Sequence, residues 1–180
     1  MPELKLLGLS GSLRAGSFNT KLLTAAMTSF GETSKATGDL NLPLYSGDTE
    51  AEGIPQSVET LARQVAEADA IIIANPEYNK GITGVLKNAL DWISRVPGNA
   101  FRGKPTLVIG AAAGRTGGET SYYMTRNCLA PLGATVLATP AVLIAGASNE
   151  FNDDGTLKSD RYQSSLDAAV ATLREVALAR

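Results

Sequence analysis

The chain has 180 residues, 44% of them apolar and 19% charged, with one cysteine and no histidine. A chain of this length buries about 70% of the surface its unfolded form would expose, so its core needs no disulfide or structural metal. Absence of histidine removes the usual general base, the Ser-His-Asp and Cys-His nucleophiles and nearly all catalytic zinc sites, and a net charge of −2 without blocks of either sign excludes a sequence-independent grip on nucleic acid or an anionic membrane.

In chain order, short apolar runs over residues 4–9, 70–74, 106–113 and 135–144 have the length of buried strands. They are apolar on both faces, which predicts parallel strands covered on two sides. The first run is broken by glycine and serine within a few residues, so it reads as a strand and not as a signal peptide. No segment approaches the roughly 20 apolar residues of a membrane span. Helical spacing lies between the strands. Phe18, Leu22, Ala26 and Phe30 step by four; Val58, Leu61, Ala62 and Val65 form an amphipathic stripe, as do Leu86, Ala89, Leu90 and Ile93. A further helix is expected over 119–132, and Leu166, Ala169, Val170, Leu173 and Val176 mark the last one.

A second strand is expected over 37–42, where Leu40 and Leu42 alternate before Pro43. Pro55 suits the first turn of the second helix, and Pro105 the start of the fourth strand. Strand and helix thus alternate about five times with short connections, which predicts one α/β three-layer domain over 1–180. Its length favours a five-stranded parallel sheet in the flavodoxin-like order 2-1-3-4-5 over a six-stranded dinucleotide-binding sheet.

Ligands of such sheets sit beyond the carboxyl ends of the strands, near the switch in strand order. Three loops fall there. After the first strand, Ser10-Gly11-Ser12-Leu13-Arg14-Ala15-Gly16-Ser17-Phe18-Asn19 gathers hydroxyls, a guanidinium and a carboxamide at the start of a helix. Hydroxyls, backbone N–H groups and the helix dipole make a phosphate cradle, and Arg14 adds a fixed charge; the plainer reading is a turn with Ser17 as N-cap. After the third strand comes Asn75-Pro76-Glu77-Tyr78-Asn79-Lys80-Gly81. A flat heteroaromatic ring needs apolar contact on its face, which Tyr78 offers, and donors along its edge, which the backbone of residues 77–79 and the Asn79 carboxamide offer. Trp92, on the helix that follows, has the spacing of a packing residue. After the fourth strand, Ala112-Ala113-Gly114-Arg115-Thr116-Gly117-Gly118 is rich in glycine, which permits close approach of backbone to a ligand. Arg115 is the candidate there for a nicotinamide phosphate or an anionic acceptor, its plain alternative being a solvated loop arginine.

Other features carry less. Gly98-Asn99-Ala100-Phe101-Arg102-Gly103-Lys104 mimics the start of a P-loop, but Pro105 stands where Ser or Thr would hold magnesium, and the stretch precedes a strand. No G-x-G-x-x-G occurs. Cys128 has no histidine or cysteine partner and reads as a structural thiol. Asp153, Asp154 and Asp160 lack the spacing of a calcium loop, and no metal site is expected.

The run Gly11-Ser12-Leu13-Arg14 with Ser17 and Asn19, followed by Pro76-Glu77-Tyr78-Asn79 and Gly84-Val85-Leu86-Lys87-Asn88-Ala89-Leu90-Asp91-Trp92, resembles the NADPH-dependent FMN reductase family. That family includes bacterial quinone and chromate reductases and azoreductase-type enzymes. The resemblance covers roughly residues 4–145. It implies FMN as cofactor and NAD(P)H as co-substrate. It implies that Ser10, Ser12, Arg14, Ser17, Phe18 and Asn19 hold the FMN phosphate, and that Pro76, Glu77, Tyr78 and Asn79 lie along the ring. Ala112, Ala113, Gly114 and Gly117 would pass over the ring and ribityl side, and Tyr78 and Arg115 would meet the substrate. Asn75, where Ser or Thr is common, Thr83, where proline is frequent, and the alanines at 112 and 113 depart from the family pattern. The resemblance further implies a homodimer or homotetramer with part of the flavin site at an interface.

The expectation is therefore a cytoplasmic oxidoreductase that passes hydride from NAD(P)H through FMN to quinones and similar electrophiles, with ping-pong kinetics. Chromate, ferric complexes and azo compounds extend the acceptor class. A bound flavin supplies the chemistry that the missing histidines cannot. The alternatives are a flavodoxin-like electron carrier, for which the charge shows no acidic docking face, a free-flavin reductase, or a flavin-binding module without turnover.

Overall fold

A computed structural model describes residues 4–180. The strands are β1 (Lys5–Ser10), β2 (Ser34–Gly38), β3 (Ala70–Ala74), β4 (Pro105–Ala111), β5 (Thr135–Val136) and β6 (Val142–Ile144). The helices are α1 (Phe18–Ser29), α2 (Gly47–Glu52), α3 (Gln56–Glu67), α4 (Gly84–Arg95), α5 (Glu119–Leu129) and α6 (Asp160–Leu178). All strand pairs are parallel, in the order β2-β1-β3-β4-β5, with β6 also on β4. This is the expected flavodoxin-like order.

Side chains alternate across the central strands, so each strand feeds two cores. Leu6, Ile72 and Ile109 face α1 and α6, packing with Leu22, Ala26, Phe30, Leu166 and Leu173. Leu7, Leu9, Ile71, Ile73 and Val108 face the other side, with Leu61 and Val65 of α3, Leu86, Leu90 and Ile93 of α4 and Leu129 of α5. All residues of β3 and β4 are buried, which explains their unbroken apolar character. Full burial of each Leu or Ile contributes about 1.5–3 kcal/mol, which makes this pair of strands the rigid base of the loops above it.

Several boundaries differ from the sequence reading. The second strand runs over Ser34–Gly38, not 37–42, and its side chains are largely exposed. As an edge strand it is held by its ladder to β1, from Lys5↔Ser34 to Leu9↔Gly38, so it needs no apolar alternation. Leu40, which suggested the strand, is buried just beyond it as the chain crosses the second core. The fifth position of the sheet, expected as one strand over 135–144, holds two short segments. Thr135–Val136 pairs with the start of β4 and Val142–Ile144 with its end. Pro140, which has no N–H, lies in the gap.

Helix α2, absent from the sequence reading, is a single exposed element capped by the Ser46 hydroxyl. Pro55 is the residue before α3, not within its first turn. Helix α5 stops at Leu129, short of the expected 132, because Pro131 cannot continue the hydrogen-bond ladder. Trp92 is fully buried and donates its indole N–H to the Pro43 carbonyl oxygen at 2.8 Å, so it packs the chain crossing against α4. In the P-loop-like stretch, the Lys104 ammonium donates to the carbonyl oxygens of Ala66 and Ala68 and closes the end of α3. None of the described helices is long and apolar enough to cross a membrane.

Candidate functional site

The sheet order puts the switch point between β1 and β3, so the loops leaving β1, β3 and β4 meet at one edge. They enclose a cleft of about 230 Å³ lined by Ser12, Arg14, Ser17, Phe18, Asn19, Pro76, Glu77, Tyr78 and Ala111 to Ala113. Most of the residues singled out in the sequence converge here. A larger cavity of about 410 Å³ lies along α1, between Thr20, Thr24 and Thr28 and the turn at Asp153 to Thr156. Its Thr24 and Thr28 hydroxyls are committed to their own helix carbonyls, and it lies on the flank of α1. Convergence of loops at the strand ends marks the smaller cleft as the candidate site.

At one end stands the N-terminus of α1. The Ser17 hydroxyl accepts from the N–H groups of Asn19 and Thr20, at 3.2 and 3.4 Å, as an N-cap. Ser12 is buried, and its hydroxyl accepts from the Arg14 N–H at 3.3 Å, which curls the loop toward the helix. The Arg14 guanidinium lies 5.5 Å from the centroid of the Phe18 ring, which stacks on Phe151 at 5.9 Å. A cation is thus held beside a helix N-terminus, the arrangement that favours a phosphate. Phe151 had no sequence signal, since it arrives from beyond β6.

Two residues of this loop have other engagements. Asn19 is 2% exposed, and its carboxamide pairs with the Ala111 backbone, donating at 2.8 Å and accepting at 2.9 Å. Its side chain ties α1 to the end of β4. The Ser10 hydroxyl shares a hydrogen bond with Thr20 at 2.8 Å and borders a separate cavity with Leu13, Thr37 and Leu40.

The second loop turns sharply. Tyr78 and Gly81 bond each other's backbones at 3.2 and 3.1 Å, around Asn79 and Lys80 at φ 50° and 62°. Two consecutive left-handed residues define a tight hairpin turn. The Tyr78 N–H is therefore taken, which narrows the edge donors to Glu77 and Asn79. Tyr78 is 53% exposed at the mouth of the cleft, and Asn79 is exposed and does not line it. Glu77 reaches into α5: its carboxylate accepts from Thr120 and Ser121 N–H at 3.0 and 3.3 Å and pairs with Lys80 at 3.2 Å. Burial pushes this carboxyl up, but the Lys80 ion pair and the two N–H bonds outweigh it and hold the group below the usual carboxylate range.

In the third loop, Ala112 and Ala113 wall the cleft. Gly117 has φ 64° and packs on β6 so closely that a Cβ would stand 2.8 Å from the Leu143 carbonyl carbon. Its glycine therefore answers to strand packing. Gly114 accepts from Gly117 and Gly146 N–H with its carbonyl oxygen, and Arg115 is exposed at the loop tip. Neither borders the cleft. Beneath the first two loops and against the start of α5 lies a buried polar cluster of Asn75, Thr83, Ser121 and Thr125 that the sequence did not announce as a unit.

The residues of the cleft match in type and order a family that binds a phosphorylated flavin, and direct comparison decides the matter. The profile described as NADPH-dependent FMN reductase matches residues 4–149. The chain belongs to this family. It is 39% identical over 174 residues to the NAD(P)H-dependent FMN reductase of Pseudomonas aeruginosa, covering 96% of this chain and 94% of that one. It is 36% identical over 170 residues to the quinone reductase of Escherichia coli, covering 86% and 88% of the two chains. Among solved structures it is similar to FerB, a flavoenzyme NAD(P)H:(acceptor) oxidoreductase from Paracoccus denitrificans, with a TM-score of 0.88, 28% identity and 98% of each chain covered. FMN is the cofactor of the family, and NAD(P)H its electron source. The cleft fits that cofactor: a capped helix N-terminus with Arg14 suits the phosphate, and the Pro76 to Tyr78 wall opposite Ala112 and Ala113 suits a flat ring.

Proposed function

We propose that this protein passes two electrons from NADH or NADPH to quinones and related small acceptors at one open flavin face, in ping-pong order. The observation that carries this reading is the convergence of three loops at the strand ends around a cleft with a cationic, hydroxyl-bearing end and an apolar end. FMN, when bound, supplies the hydride chemistry. The chain's own residues bind and orient it. Ser12, Arg14 and Ser17 hold the phosphate, with Phe18 carrying Arg14; Pro76 to Tyr78 and Ala112 to Ala113 flank the ring. The exposed Tyr78 ring meets the incoming substrate. Arg115, exposed at its loop tip, is the candidate for a nicotinamide phosphate or an anionic acceptor such as chromate.

We infer further that residues 1–180 act as one FMN-binding domain, a reading supported by a single sheet with a core on each face. The exposed Tyr78, Tyr123 and Met124 favour a second copy of the chain near the cleft, as a homodimer or homotetramer. A cytoplasmic location suits the chemistry and the single free thiol.

The test is direct. FMN-loaded protein is mixed anaerobically with NADH or NADPH, and the flavin absorbance is followed, then a benzoquinone is added. Bleaching within seconds and recovery on addition of quinone are expected. A flavin that stays oxidised would leave only a carrier or a binding module.

A further inference from the structure

Asn75, at the end of β3, is 2% exposed, and its carboxamide is fully engaged. The side-chain oxygen accepts from the Thr83 hydroxyl at 2.8 Å; the amide donates to the Ser121 hydroxyl at 2.6 Å and to Thr125 at 3.5 Å. The chain of bonds continues at both ends. The Thr83 hydroxyl accepts from the Leu86 N–H as the N-cap of α4, and the Ser121 hydroxyl donates to the Pro76 carbonyl oxygen at 2.9 Å. Each hydroxyl thus accepts one bond and donates another, so the direction of the whole chain is set by the carboxamide. An ionised acid at position 75 has no donor for Ser121, and a serine hydroxyl offers one donor on a single short atom, which cannot span Thr83 on one side and Ser121 and Thr125 on the other.

The same carboxamide is the floor of the first loop. A Cβ on Gly11 would stand 1.8 Å from the Asn75 side-chain oxygen, so the phosphate loop rests directly on it, with the Gly11 N–H bonded to the Ala74 carbonyl oxygen at 2.8 Å. Loop one, loop two and the start of α5 therefore meet on one buried side chain.

We propose that Asn75 is a positioning residue of the flavin site. It sets the spacing between the phosphate end and the ring wall, and thereby the affinity and electronic environment of bound FMN, without touching the cofactor. This rests on the assignment of the cleft to FMN. Misplacing preformed binding elements weakens binding because the ligand must then restore their geometry, and ring-edge donors that shift alter the stability of the reduced flavin.

Asn75→Ser and, acting from the α5 side of the same chain, Ser121→Ala are prepared as apo-proteins with the parent and Arg14→Ala. Readouts are the FMN dissociation constant by fluorescence titration, the absorption spectrum and midpoint potential of bound flavin, and the thermal midpoint of each apo-protein. In the folded variants, Asn75→Ser and Ser121→Ala each weaken FMN about tenfold and shift the flavin spectrum and potential. The double variant is expected to weaken it no further than Asn75→Ser alone, since one broken link suffices. Should Asn75→Ser fail to fold, Ser121→Ala carries the test. Parent-like affinity, spectrum and potential in the folded variants, with Arg14→Ala weakened, overturn the positioning role and leave the site assignment intact. Parent-like affinity in Arg14→Ala as well overturns both.

Discussion

The carboxamide of Asn19 pairs with the Ala111 backbone at both ends, 2.8 Å to its carbonyl oxygen and 2.9 Å from its N–H, as a further strand would. Helix α1 is thereby fixed to the strand from which the third loop springs. Asn19→Ala leaves a buried N–H and C=O unpaired, and the expected cost is about 1–3 kcal/mol. Urea denaturation measures it; a midpoint equal to the parent's would show that the pair contributes nothing to anchoring.

Arg14 is carried by Phe18, which in turn stacks on Phe151. Arg14→Ala combined with Ser17→Ala should lower flavin retention sharply, and loss of the cap alone costs about 0.5–2 kcal/mol. Phe151→Ala should lower retention in the same direction while leaving every residue of the first loop in place. Flavin content after gel filtration reports both, and undiminished content in the double variant would remove the phosphate from this loop.

The Glu77 carboxylate fastens the second loop to the N-terminus of α5, and its partners hold its pKa below the usual value. A group depressed in the folded state stabilises the fold above its unfolded pKa, and that contribution is lost as pH falls through the folded value. Thermal melts of the parent and Glu77→Gln at a series of pH values should therefore differ at neutral pH and converge in acid. A difference that persists unchanged in strong acid would contradict the ionic clamp.

Gly117 has two readings, close approach to a ligand or packing on β6, and φ 64° with a 2.8 Å clash at Leu143 favours the second. Gly117→Ala should destabilise the apo-protein by more than about 1 kcal/mol through backbone strain and overlap. Chemical denaturation without flavin checks this. An apo-protein of parent stability that binds FMN poorly would restore the ligand reading.

Much of the molecule was legible in one dimension. An unbroken apolar run and a period of 3.6 need only the local sequence, so the buried runs of β3 and β4 and the stripes of α3 and α4 declared themselves. The edge strand β2 did not, because its order comes from the ladder to β1 and not from apolar side chains. Nor did the gap between β5 and β6, since the run over 135–144 reads as one strand and only Pro140 interrupts it.

The site divides along the same line. By itself, the sequence determined which loops carry hydroxyls, Arg14, Pro76 and Tyr78, and the parallel alternation determined that those loops share one edge. Tertiary structure alone decided what each polar side chain does. Asn19 finds Ala111 across 92 positions, Asn75 finds Ser121 across 46, and Glu77 finds Thr120 across 43. A carboxamide or carboxylate bears no periodic signature, and its partner is whichever backbone or hydroxyl the sheet order brings within about 3 Å.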